Sequence, residues 1–127
     1  MFLLDTHLVL RAALEPARLS AKALRLLRAR DNELAFSVAT LWEVAIKTSL
    51  GRPDFQVDPK QLQSALLGEG FVEVAILPEH VIRVARLPWI HRDPFDRMLV
   101  AQAAVEKHTL LTSDRLLAGY GKFVRVV

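Results

Sequence analysis

Asp5, Glu43, Asp96 and Asp114 lie far apart in the chain, yet each sits close to a junction between a short apolar run and a helical pattern. Carboxylates gathered from such positions repel one another unless a cation joins them or some take up protons. The sequence has no cysteine, so the ligands would all be oxygens, a set that suits hard cations such as Mg²⁺, with Mn²⁺ able to substitute. An ion so held lowers the pKa of water and neutralises phosphate charge, which is the chemistry of ester hydrolysis.

The positions of these acids follow from the elements around them. Phe2-Leu3-Leu4 reads as a first strand, and a helical pattern then runs from Asp5-Thr6-His7 to about Leu14. Ser20 is placed to cap a helix to about Arg30, and Leu34-Ala35-Phe36 reads as a second strand. Val38, Leu41, Trp42, Ala45 and Ile46 carry helical spacing as far as Gly51-Arg52-Pro53. Asp58-Pro59 opens a helix to about Leu67, Phe71 to Ala75 forms a third strand, and Pro78 starts a helix that ends before Pro88. Asp93-Pro94-Phe95-Asp96 opens a long helix through Lys107. Thr109 to Thr112 is a fourth strand, Asp114 to Ala118 a short helix, and Phe123 to Val126 a fifth strand. No linker or repeat divides residues 1–127, so one domain is expected. Short apolar strands alternating with helices predict an α/β fold: a three-layer α/β/α sandwich around a mostly parallel five-stranded sheet.

Helix N-termini in such a sheet gather at the C-terminal edge of the strands, where ligands of these folds bind. Asp5 ends the first strand, Asp114 follows the fourth, Asp96 is in the first turn of its helix, and Glu43 lies about one and a half turns into the helix after the second. Each acid also has a purely structural reading. Asp5, Asp93 and Asp114 can cap helices, Asp96 favours the helix dipole, and Glu43 stands four residues before Lys47, the spacing of a surface ion pair. Glu43 nevertheless lies roughly 100° from the centre of its apolar stripe, a flank from which it can reach inward. Four separate structural roles that all fall on the binding edge are less economical than one shared site.

Other polar residues are placed by the same geometry. Thr6, Ser37, Thr112 and Ser113 fall near the edge, as second-layer groups or as caps. Arg92 and Arg97, flanking Asp93 and Asp96, are candidates to hold a substrate phosphate. His7, His80, His91 and His108 show no ligand spacing among themselves and read as surface or partly packed residues. Trp42 and Trp89 read as core or interface, and Arg18, Lys22, Arg25 and Arg28 form a basic stripe on one helix.

Composition narrows the function further. Apolar residues make up 52% and charged residues 24%, an ordinary globular balance. No apolar run is long enough to span a bilayer, and a charge at the fifth residue argues against a secretory signal, so a cytoplasmic protein is expected. Seventeen Lys and Arg face fourteen Asp and Glu, and twelve of the seventeen are Arg. Were the four acids taken up by metal, the remaining surface would carry about +7, which favours a polyanionic partner.

Leu4-Asp5-Thr6-His7, Trp42-Glu43-Val44-Ala45-Ile46-Lys47, His91-Arg92-Asp93-Pro94-Phe95-Asp96-Arg97-Met98-Leu99 and Thr112-Ser113-Asp114, in this order, resemble the PIN-domain family, and within it the VapC-type ribonuclease toxins of toxin–antitoxin pairs. The likeness covers essentially the whole chain. It implies that Asp5, Glu43, Asp96 and Asp114 are the family's acids, with Asp93 an additional one, and that Asp5, Asp96 and Asp114 hold Mg²⁺ or Mn²⁺. It also implies an endoribonuclease, commonly a homodimer, inhibited by a small antitoxin whose C-terminal segment occupies the active-site groove. In-line attack by an activated water needs no 2′-hydroxyl nucleophile, so 5′-phosphate and 3′-hydroxyl ends are the expected products. Two rival classes remain at this point. An aspartyl-phosphate enzyme of the haloacid-dehalogenase pattern would place a second Asp where His7 stands, and a non-catalytic α/β module would use the acids only as caps.

Overall fold

The computed structural model describes residues 1–127. Five strands, β1 (Phe2–Leu4), β2 (Leu34–Ser37), β3 (Val72–Val74), β4 (Thr109–Thr112) and β5 (Val124–Val126), form one sheet in the order β3-β2-β1-β4-β5. Every pairing is parallel, so the expected "mostly parallel" sheet is entirely so. Six helices connect or flank the strands: α1 (Thr6–Leu14), α2 (Ala21–Arg28), α3 (Val38–Ser49), α4 (Pro59–Gly68), α5 (Pro78–Arg86) and α6 (Pro94–Glu106). Short 3₁₀ segments lie at Pro16–Arg18 and Arg115–Tyr120.

Alternation along the strands builds the three layers, because successive side chains point to opposite faces. Leu4, Phe36 and Leu111 pack with Leu8, Val9, Leu19, Ala23, Val44, Leu62 and Leu66 on one face. Leu3, Ala35 and Leu110 pack with Ala39, Leu99, Val100, Ala103 and Leu117 on the other. Burying a Leu or Phe side chain is worth about 1.5–3 kcal/mol, and both β1 leucines are fully buried. α3 contributes to both clusters, through Val44 and Ala39, and so straddles the sheet edge.

The helices start where the caps indicate. Ser20, Ser37, Asp58 and Asp93 each accept a backbone N–H of the first turn, and Pro59, Pro78 and Pro94 occupy first helical positions. Some bounds differ from expectation. β3 is shorter than Phe71–Ala75 and pairs only with β2, as an edge strand. α2 ends at Arg28 because Ala29 leaves the helical region, with ψ 120°. The last helix is a 3₁₀ segment over Arg115–Tyr120, not an α-helix from Asp114 to Ala118. No helix is long and apolar enough to cross a membrane.

Candidate functional site

Asp5 follows β1 immediately and is 2% exposed. Its Oδ1 accepts the Leu8 N–H at 2.9 Å and so caps α1. Its Oδ2 accepts the Thr112 hydroxyl at 2.5 Å. Register brings Thr112 there: Leu4 pairs with Leu111, so the residues that follow β1 and end β4 are neighbours. Thr112 Oγ1 also accepts the Asp114 N–H at 3.0 Å, which ties the start of the next loop to the same point. Burial raises the Asp5 carboxyl above its ordinary value, opposed by the Thr112 and Leu8 hydrogen bonds and by His7 and Arg11.

Asp96 occupies the third position of α6. Burial, chiefly, and then the nearby charges of Asp93, Asp5 and Glu43 push its carboxyl up to about 7, with His91 acting the other way. Acids from the end of β1, from α3 and from α6 are therefore close enough to act on one another. Glu43 is 3% exposed; its Oε2 meets Lys47 Nζ at 2.7 Å, so the ion pair of the structural reading is present. Its Oε1, however, is buried without any hydrogen-bond partner. A buried carboxylate oxygen left unpaired is costly, and a cation is one way to satisfy it.

Asp114 adds the fourth acid. Its Oδ1 accepts the Leu116 N–H at 3.0 Å, and its Oδ2 lies 2.9 Å from His91 Nε2. Asp96 Oδ2 is 3.5 Å from the same nitrogen. The ligand atoms of His91, Asp96 and Asp114 all lie within 4.8 Å of one another. An oxygen-dominated donor set, an orphaned buried carboxylate oxygen and an acid forced towards its neutral form together fit a hard divalent cation.

The remaining candidates are more varied. Asp93 is the α6 N-cap, its Oδ1 accepting the Phe95 and Asp96 N–H groups at 2.8 and 3.0 Å. Thr6 is buried and meets Thr40 Oγ1 at 3.0 Å, joining α1 to α3 one turn before Glu43. Ser37 caps α3 and donates to Gln102 Oε1 at 2.6 Å, and Gln102 in turn donates to Ala75 O at 3.2 Å. Both serve as struts between elements. Ser113 and Arg92 are exposed.

Arg97 corrects the expectation that it holds substrate. It is 3% exposed, and its guanidinium donates to the carbonyls of Val84, Leu87, Pro88 and His91 and to the Tyr120 hydroxyl, at 3.0–3.4 Å. Trp89 covers it, with the ring centroid 3.9 Å away. The fork is consumed in binding the turn before α6, because the end of α5 leaves its carbonyls without helical partners.

Two histidines differ from the sequence reading. His80 is fully buried, accepting the Leu77 N–H at Nδ1 and meeting Glu106 Oε1 at 2.8 Å. His91 lies among the acids, a placement that spacing between histidines could not show. The signal was its position two residues before the Asp93 cap, where a turn folds it back over the helix start.

The profile of the PIN domain family matches residues 2–122, and the chain belongs to that family. Among solved structures it is similar to the VapBC2 complex of Rickettsia felis bound to a DNA fragment from its promoter, with 16% identity and a TM-score of 0.69 over 99% of this chain and 96% of that one. It is also similar to a toxin–antitoxin complex from Klebsiella pneumoniae, with 19% identity and a TM-score of 0.66 over 99% and 97% of the two chains. No curated protein matches it in sequence.

Proposed function

We propose that this chain is a VapC-type endoribonuclease, the toxin of a type II toxin–antitoxin pair, acting on cytoplasmic RNA with Mg²⁺, for which Mn²⁺ can substitute. The observation that carries the reading is the gathering of acids from three elements and a loop at one sheet edge, with Glu43 Oε1 left unpartnered. Membership of the PIN domain family supports the nuclease activity, and the toxin–antitoxin complexes among its fold neighbours support a small antitoxin partner.

Asp5, Asp96 and Asp114 would hold the cation. When bound, it supplies charge neutralisation for the scissile phosphate and a lowered pKa for water. The chain does the rest. Glu43 Oε1 orients the attacking water as its proton acceptor, Asp5 is fixed by Thr112 and the α1 amides, and exposed Arg92 meets the phosphate backbone. The exposed apolar stripe of Trp42 and Ile46 on α3, continued by Leu50 at its C-cap, is suited to pairing with a second copy.

The test is cleavage of end-labelled single-stranded RNA with Mn²⁺. Asp5→Asn and Asp96→Asn should each abolish it while the far-ultraviolet spectrum is unchanged, and the products should carry 5′-phosphate and 3′-hydroxyl ends. Wild-type rates in the double variant would remove the metal-site mechanism, and 2′,3′-cyclic phosphate ends would replace it with 2′-hydroxyl attack.

A further inference from the structure

His91 is held from every side. Its N–H donates to the Tyr120 hydroxyl at 3.0 Å, and its carbonyl accepts from Arg97 Nη1 at 3.4 Å. Tyr120 also accepts from Arg97 at 3.1 Å, so one buried guanidinium fixes the His91 backbone directly and through the phenol. The ring is equally constrained. Nδ1 accepts the Asp93 N–H at 3.1 Å and must therefore carry a lone pair, which leaves the proton of the neutral imidazole on Nε2. That nitrogen lies 2.9 Å from Asp114 Oδ2 and 3.5 Å from Asp96 Oδ2.

His91 belongs by distance to a three-residue cluster that looks like a ligand set. The tautomer decides otherwise. Ligation through Nε2 would move its proton to Nδ1, where it would face the Asp93 N–H, donor against donor. We infer that His91 is a positioning residue and not a metal ligand: its Nε2–H orients the Asp114 carboxylate towards Asp96, and Arg97 and Tyr120 orient His91. This rests on the cation-binding reading of the site given above. Groups that orient ligating carboxylates in this way commonly control affinity by roughly 10–100-fold.

The experiment has two arms. In metal-free ¹⁵N-labelled protein, long-range ¹H–¹⁵N spectra should show His91 as the Nε2–H tautomer, its signals assigned by their loss in His91→Gln. Titration with Mn²⁺ alone, followed by calorimetry, should show His91→Phe binding roughly 10–100-fold more weakly than wild type. His91→Gln, whose amide N–H can reach Asp114, should recover most of that affinity. An Nδ1–H tautomer overturns the inference, and so does a His91→Phe variant that binds Mn²⁺ as tightly as wild type or more tightly. Failure of wild type itself to bind Mn²⁺ overturns the metal site as well. If neither variant folds, the wild-type tautomer alone decides, with the His91 ring signals assigned instead by through-bond correlation to its backbone amide.

Discussion

Asp96→Asn exposes the crowding of carboxylates without any RNA. Burial and neighbouring acids lift Asp96 from 3.8 to about 7 in the metal-free chain, and its side chain is only 16% exposed. The folded state then keeps a proton that the unfolded state has released, so stability falls as pH rises between these two values. At about 1.4 kcal/mol per tenfold change, the penalty is under about 2 kcal/mol near pH 5 and about 4 kcal/mol near pH 8. Asparagine cannot ionise and escapes it. Asp5, raised in the same sense, is present in both proteins. His108, lowered by burial, acts in the opposite sense, adding stability as pH rises towards its unfolded value. His108 cancels in the comparison of variant with wild type, whereas the repulsion between Asp5 and Asp96 is part of the difference that the comparison reads. Urea unfolding in EDTA, followed by tryptophan fluorescence, should show the variant ahead by about 4 kcal/mol near pH 8, with the gap closing below about pH 4. Mn²⁺ at about 100 times its Kd should then add about 2.7 kcal/mol to wild type and less to the variant. Equal stabilities near pH 8 without metal, or a gap that does not change with pH, would refute the argument.

Arg97→Ala should lose about 3–5 kcal/mol in the same unfolding assay, since four carbonyls and a phenol lose their donor. Lysine should not restore it, because one ammonium cannot replace the fork; a loss below about 1 kcal/mol would show that water replaces the guanidinium. Asp93→Ala should lose about 1 kcal/mol as a cap near pH 5, where Asp96 is protonated. Near pH 8 the loss should shrink, because Asp93 also repels the ionised Asp96, and a loss that grows with pH would contradict this.

Much of the fold was legible because its signals are local. Paired leucines in β1 and β4 mark strands buried on both faces, and Ser or Asp followed by Pro or an apolar pattern marks where helices begin. Strand order was not legible, since nothing in a three-residue strand specifies its neighbour. The role of Arg97 was not legible for a related reason. Sequence shows a cation beside two acids, but a long side chain can turn away to the carbonyls ending another helix. Trp42 and Trp89 are 57% and 77% exposed, so neither is in the core, although both are large apolar residues.

Capping and ligation had stood as rival accounts of the acids, but a carboxylate has two oxygens and the geometry uses them separately. In Asp5 and Asp114, Oδ1 takes a helix-start N–H while Oδ2 faces Thr112 and His91 respectively. Asp93 spends Oδ1 on two amides and in doing so sets the turn that carries Asp96. The cap therefore fixes one oxygen of the side chain, and a single further partner sets the other, Thr112 for Asp5 and His91 for Asp114. Such an arrangement reduces the entropy lost when a cation orders its ligands. Glu43, which has no helix start to cap, is held instead by Lys47 through Oε2, leaving Oε1 turned inward. The same local patterns that specify the helices thus orient the acids at the sheet edge.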